Sequence, residues 1–182
     1  MSETNFPQDP IIAEHIHAPI EAVLQQDGSE WTLIIRRDFS HSPERVWQML
    51  TDPAWLARWS PVVPDRPLTT VGPATSRENP GDEPVDAEVL IANEPHQLVH
   101  HWGEDTLSWT VARTETGSTL ELRQSLTDHS YASMLAAGWQ VCLGRLSAED
   151  DEVEHERVVG ERAFDYGFQA LYDGYRESLG SD

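Results

Sequence analysis

The sequence predicts an α+β domain in which an antiparallel sheet is covered by a long helix that follows it. Three observations carry this expectation. Asp27-Gly28 is a hairpin signal between two apolar-rich runs, short strand-like runs joined by tight turns extend from Val85 to Leu126, and the pattern becomes helical after Asp128. A sheet with one apolar face needs cover, and the helix supplies it. At 182 residues the chain is about one domain long and can bury a core without staples.

Residues 1–17 are polar and proline-containing, with no sustained period, and are expected to form a flexible tail. The domain proper is expected over residues 18–146. It opens with IEAVLQQ, the turn, and WTLIIRRDF, whose Trp31, Leu33, Ile35 and Phe39 share one face. Two helix starts follow. Ser42 is placed as an N-cap with Pro43 at the first helical position and Glu44 near the positive end of the dipole, and Asp52-Pro53 repeats the device. The first helix presents Val46, Trp47 and Leu50, the second Leu56 and Trp59, and Pro61 and Pro64 end the second.

RPLTTVG reads as a short strand and SRENPGDEP as an exposed loop. VDAEVLIANE alternates Val85, Ala87, Val89 and Ile91 against Asp86 and Glu88. QLVHHW, DTLSWTVART and STLELRQSL complete a meander. Leu135, Trp139, Cys142 and Leu146 then fall on one side of a long helix. Gly138 within it costs up to about 1 kcal/mol of helix propensity, which suggests close approach to a neighbour. Residues 147–182 are expected to be an acidic, solvated connection, AEDDEVEHE, and a last helix over residues 161–179 packed on the domain. That helix carries Phe164, Phe168, Leu171, Tyr172, Tyr175 and Leu179. Its aromatic stripe serves either packing or a dimer surface, so the protein is expected as a monomer or homodimer.

Composition narrows the function. The net charge is −20, all 12 basic residues are Arg, and such a surface repels phosphate backbones and anionic lipid heads. Nucleic-acid and membrane partners are therefore not expected. No apolar run reaches the roughly 20 residues that span a bilayer, and MSETNFPQDP lacks the pattern of a secretory signal, so a cytoplasmic location is expected. The single cysteine, Cys142, excludes an intrachain disulfide and is expected to be an inert buried thiol.

Catalytic and metal motifs are lacking. No nucleophile elbow, phosphate-binding glycine loop or dinucleotide fingerprint occurs. His100 and His101 are adjacent on a strand and point to opposite faces, so they do not chelate one ion. His15-x-His17 lacks further ligands. No catalytic residue, metal or cofactor is assigned. Strand parity puts His100 with Trp102, Trp109 with Leu107 and Val111, and Leu122 with Leu120 and Gln124.

Four segments carry a family resemblance: RRDFSHSPERVWQMLTDPAWLARWSP, LVHHWGEDTLSWTV, GSTLELRQSL and GWQVCLGRL. They are similar to the START-like (SRPBCC, Bet v 1-like) superfamily and, within it, to homologues of the activator of heat-shock protein 90 ATPase. The resemblance implies a helix-grip fold: a curved antiparallel sheet wrapped around the long helix, with two short helices after the first long strand. The last helix goes beyond the minimal family pattern. The resemblance also implies a cavity between sheet and helix for a small hydrophobic or aromatic, lipid-like ligand. By the family pattern that cavity is lined by Trp59, His100, Trp102, Trp109, Leu122, Gln124, Leu135 and Trp139, with His100 and Gln124 as its polar groups. The activity that names the family belongs to longer proteins with an additional N-terminal domain. A chaperone partner is accordingly the alternative reading, and a cyclase- or hydratase-like activity in the same cavity is the second alternative.

Overall fold

The computed structural model describes residues 9–149 and 155–179. Its centre is a six-stranded antiparallel sheet in the order β1-β2-β9-β8-β7-β6. The strands are β1 (Glu21–Asp27), β2 (Glu30–Phe39), β6 (Val89–Asn93), β7 (Gln97–Trp102), β8 (Asp105–Thr114) and β9 (Gly117–Leu126). The meander and the first hairpin therefore form one sheet, joined by β2 lying beside β9. Alternation sets the buried face. Leu33 and Leu107 both oppose Gln124, Trp109 opposes Leu122, and His100 opposes Leu107, so the parity-matched residues stack in one continuous layer. The other face is charged, with Glu121 bridging Arg36 and Arg123.

The two short helices form where the caps predict. In α2 (Pro43–Thr51) the Ser42 hydroxyl accepts from the Arg45 amide, and in α3 (Pro53–Trp59) the Asp52 carboxylate accepts from the Ala54 amide. The long helix α4 (Ala132–Ser147) lies over the sheet and also contacts α3. Its Trp139, Cys142, Leu143 and Leu146 join the main core with Leu33, Ile35, Trp109 and Leu122. This is the helix-grip arrangement.

Five expectations are corrected. The segment 1–17 is not a tail throughout: α1 (Pro10–Ile16) is a helix whose Ile12 and Ile16 are fully buried in a second cluster with Val141 and Tyr166. The Asp9 carboxylate caps it, and the backbone carbonyls of His15 and Ile16 accept from Arg37 and Gln140. Residues 1–8 lie outside the described residues.

RPLTTVG is a loop, not a strand. The Arg66 guanidinium donates to the carbonyls of Pro67, Thr70, Gly72 and Pro73 and so supplies the partners a strand would have given. A small second sheet forms around it instead, from β3 (Val63–Pro64), β4 (Thr75–Arg77) and β5 (Val85–Asp86). The alternation from Val85 to Ile91 is also broken. Ala87 and Val89 are buried, but Val85, in β5 of the small sheet, and Ile91, beyond a register shift between Val89 and Ile91, are exposed.

The predicted helix 161–179 is split at Gly167, where φ is +85°. A 3-10 helix, Gly160–Tyr166, precedes it and α5 (Phe168–Leu179) follows. Finally, the acidic connection is not uniformly solvated. Glu149 is buried between Arg58 and Arg145, with contacts of 2.5 and 2.9 Å. Residues 150–154 of that stretch lie outside the described residues.

Candidate functional site

Four indoles fill the space between sheet and α4. Trp59 meets Trp109 edge-on at 6.2 Å between ring centroids, Trp109 meets Trp139 at 5.5 Å, and Trp139 meets Trp102 at 5.5 Å. Three of these four indoles donate their N–H to an acceptor. Trp59 donates to the Met49 carbonyl (2.9 Å), Trp109 to His100 Nε2 (3.0 Å) and Trp139 to Gln124 Oε1 (2.7 Å).

These bonds fix the state of His100. An indole N–H only donates, so Nε2 must be an acceptor, and the proton sits on Nδ1, which donates to the His101 carbonyl at 3.0 Å. Burial holds the imidazole neutral and lowers its pKa from 6.5 to about 4. Gln124 is equally committed, since its amide nitrogen donates to Asp105 Oδ2 at 2.8 Å. The two polar groups singled out in the sequence thus satisfy two tryptophans. His101, on the opposite face, pairs with Asp86 at 2.7 Å.

Open space lies at one flank of α4. A cavity of about 220 Å³ is bounded by α4, by the segment from Val158 to Phe168, and by Trp102, the sheet's contribution. Of the residues proposed from the sequence, Trp102, Leu135 and Trp139 line it. Gln124 instead lines a neighbouring depression of about 410 Å³ that shares Trp102 and Leu135 with the cavity. Trp59, His100, Trp109 and Leu122 are buried in the filled interior.

The remaining wall includes Pro61, Val158, Val159, Ala163 and Phe168, none of which the sequence assigns to a cavity. One signal was available for this wall: Gly138, whose position inside a helix asked for a neighbour. A Cβ placed there would lie 4.0 Å from the Phe168 ring, so the glycine opens the cavity rather than permitting a tight contact. The tight contact belongs to Gly144, where a Cβ would fall 2.5 Å from the Ile16 Cα of α1.

The cavity's chemistry is mostly apolar. Cys142 lines it, but burial pushes its thiol pKa up to about 12, so it is not a ready nucleophile. Glu78 is the acidic member of the wall. His15 and His17 are used elsewhere, bonded to the Ser147 hydroxyl and the Tyr166 carbonyl while they hold α1 in place. Among the described residues no helix is long and apolar enough to cross a membrane.

The activator of Hsp90 ATPase homolog 1-like family matches residues 40–149, more than half of the chain, from the strand-to-helix junction before α2 to the end of α4. The chain belongs to this family. Among solved structures, EF2215 of Enterococcus faecalis is similar over 88% of this chain and 91% of its own, at 17% identity and a TM-score of 0.68. CalU16 of Micromonospora echinospora is similar over 89% of this chain and 96% of its own, at 16% identity and a TM-score of 0.62. DynU16, a protein in the dynemicin biosynthetic locus, shares 24% identity over 64% of this chain and 45% of its own, with a TM-score of 0.56. No curated protein matches the chain. The similarity to EF2215 and CalU16 extends beyond residues 40–149, so the fold shared with these structures includes elements that flank the family match.

Proposed function

We propose that the protein binds a small, neutral aromatic molecule in the cavity between α4 and the segment from Val158 to Phe168. The supporting observation is the cavity itself: about 220 Å³ with apolar walls, beside an interior already filled by tryptophan. A dry cavity of about 150 Å³ accommodates benzene, so a space of this size suits one or two rings better than a long acyl chain. Trp102, Trp139 and Phe168 supply aromatic surface for stacking or edge contacts. Catalysis would need polar groups converging on the ligand. The engaged state of His100 and the high thiol pKa of Cys142 favour binding alone.

The test is an NMR titration with naphthalene, comparing wild type with Gly138→Leu. The added side chain extends into the cavity from a helix that already tolerates a Cβ there. Naphthalene is expected to shift amides of residues 134–142 and 158–168 in wild type, and at least about tenfold more weakly in the variant. Shifts confined to other regions, or binding equal in both proteins, would sink the reading.

A chaperone-directed reading has one observation in its favour. Tyr131, Met134 and Phe164 are 54%, 40% and 57% exposed near the cavity. Retention of Hsp90 on the immobilised protein, with a changed ATPase rate, would support it; failure on both counts removes it.

A further inference from the structure

A second opening, of about 360 Å³, lies between α3 and the small sheet, and its wall carries Arg77 and Arg157. Among the described residues six of the 12 arginines of this acidic chain hold a carboxylate: Arg36, Arg58, Arg113, Arg123, Arg145 and Arg162. Arg77 and Arg157 share the wall of one cleft. Among the described residues neither makes an ion pair. Arg157 donates one Nη2 bond to the Ser60 carbonyl at 2.6 Å, while its Nε is buried without a hydrogen-bond partner. Arg77 is exposed, and its Nη1 donates to the Pro80 carbonyl at 3.3 Å. A buried donor without an acceptor costs stability, and an acceptor delivered from outside would recover it. Burial also lowers the Arg157 pKa from its ordinary value, against the opposing charges of Glu78 and Asp82.

We propose that this cleft binds the carboxylate of a small organic acid, with Arg157 and Arg77 as its two cationic contacts. The planar guanidinium fork matches a carboxylate. Ala57, Val63, Pro64 and Pro80 offer apolar wall for a hydrocarbon body. Asp65 and Glu78 share the cleft and the net charge is −20, so a dianion such as phosphate meets more repulsion than a monoanion does. The cleft has Glu78 in common with the apolar cavity but is bounded by different elements, so it is a separate subsite.

The test titrates the full chain with benzoate, its neutral analogue benzamide, and inorganic phosphate, following amide shifts. Benzoate is expected to perturb residues 75–80 and 157 and to bind at least about tenfold more tightly than benzamide or phosphate. Arg157→Gln is expected to weaken benzoate by at least about tenfold. The exposed Arg77→Gln should weaken it about two- to fivefold with the fold intact. Gly138→Leu should leave benzoate binding unchanged, which separates this site from the cavity that naphthalene tests. Benzamide or phosphate binding as tightly as benzoate overturns the assignment, as does unchanged affinity in Arg157→Gln. Should that variant fail to fold, unchanged affinity in Arg77→Gln overturns it instead.

Discussion

The two sides of α4 are both apolar, yet one is filled and the other is open. Toward the sheet, Trp139 meets Trp109 and Trp102 edge-on, and the N–H groups of Trp109 and Trp139 are matched by His100 and Gln124. Toward the C-terminal segment, Gly138 withholds a side chain, and Val158, Ala163 and Phe168 leave about 220 Å³ unfilled. The difference teaches where a ligand can enter. The sheet side is filled by large rings, and its open volume is confined to the depression beside Gln124 at the end of the sheet. The flank has volume because its cover is a separate segment rather than the sheet.

The largest expected effect tests how tightly the filled side is closed. His100 is 2% exposed, and burial lowers its pKa to about 4 from 6.5. The folded state keeps the imidazole neutral, so the unfolded chain takes up the proton first as pH falls below about 6.5. The stability linked to His100 is therefore complete above that pH and is lost progressively down to about pH 4, by about 3 kcal/mol. Urea unfolding at pH 7 and pH 4.5 should show a smaller pH dependence in His100→Gln than in wild type. Equal dependence in both proteins would mean that water reaches this side.

The next effect separates the two glycines of α4. Gly144→Ala drives a Cβ to 2.5 Å from the Ile16 Cα, a backbone atom that cannot swing aside. The expected loss is about 1–3 kcal/mol, with α1 undocked and amide exchange accelerated across residues 10–16. Gly138→Ala is the smallest effect and has the opposite sign. Its Cβ meets the Phe168 ring at an ordinary 4.0 Å, so thermal unfolding should show a gain of up to about 1 kcal/mol from helix propensity. A loss in Gly138→Ala would show that the flank is as closely packed as the α1 contact, and the contrast between the two sides would fall.

Much of the fold was legible in the sequence because its signals are local. The Asp27-Gly28 turn, the Ser42-Pro43 and Asp52-Pro53 caps and, outside the stretch from Val85 to Ile91, the strand parity act within a few residues, and each appears where it is expected. The same device identifies α1 in retrospect: Asp9-Pro10 is a third acid-or-hydroxyl cap followed by proline, and Asp9 accepts from the Ile11 and Ile12 amides. The flanking sequence has no period long enough to mark the helix. Glu149 was misread for the opposite reason. An acidic run looks solvated, but this carboxylate is drawn inward by Arg58 from α3 and by Arg145 one helical turn earlier.

The candidate site was legible only in part. Parity correctly grouped the inward residues of the sheet, but it could not tell which rings would touch each other and which would border a void. Nothing in the sequence marks Val158, Ala163 and Pro61 as neighbours of Trp102 and Trp139. The sequence by itself determined the turns, the caps, the faces of strands and helices, and therefore the class and order of the fold. The tertiary structure alone decided that the tryptophans fill the sheet side of α4 and that the cavity opens at its flank. Periodicity fixes the face a side chain takes, whereas a void depends on volumes brought together from distant parts of the chain.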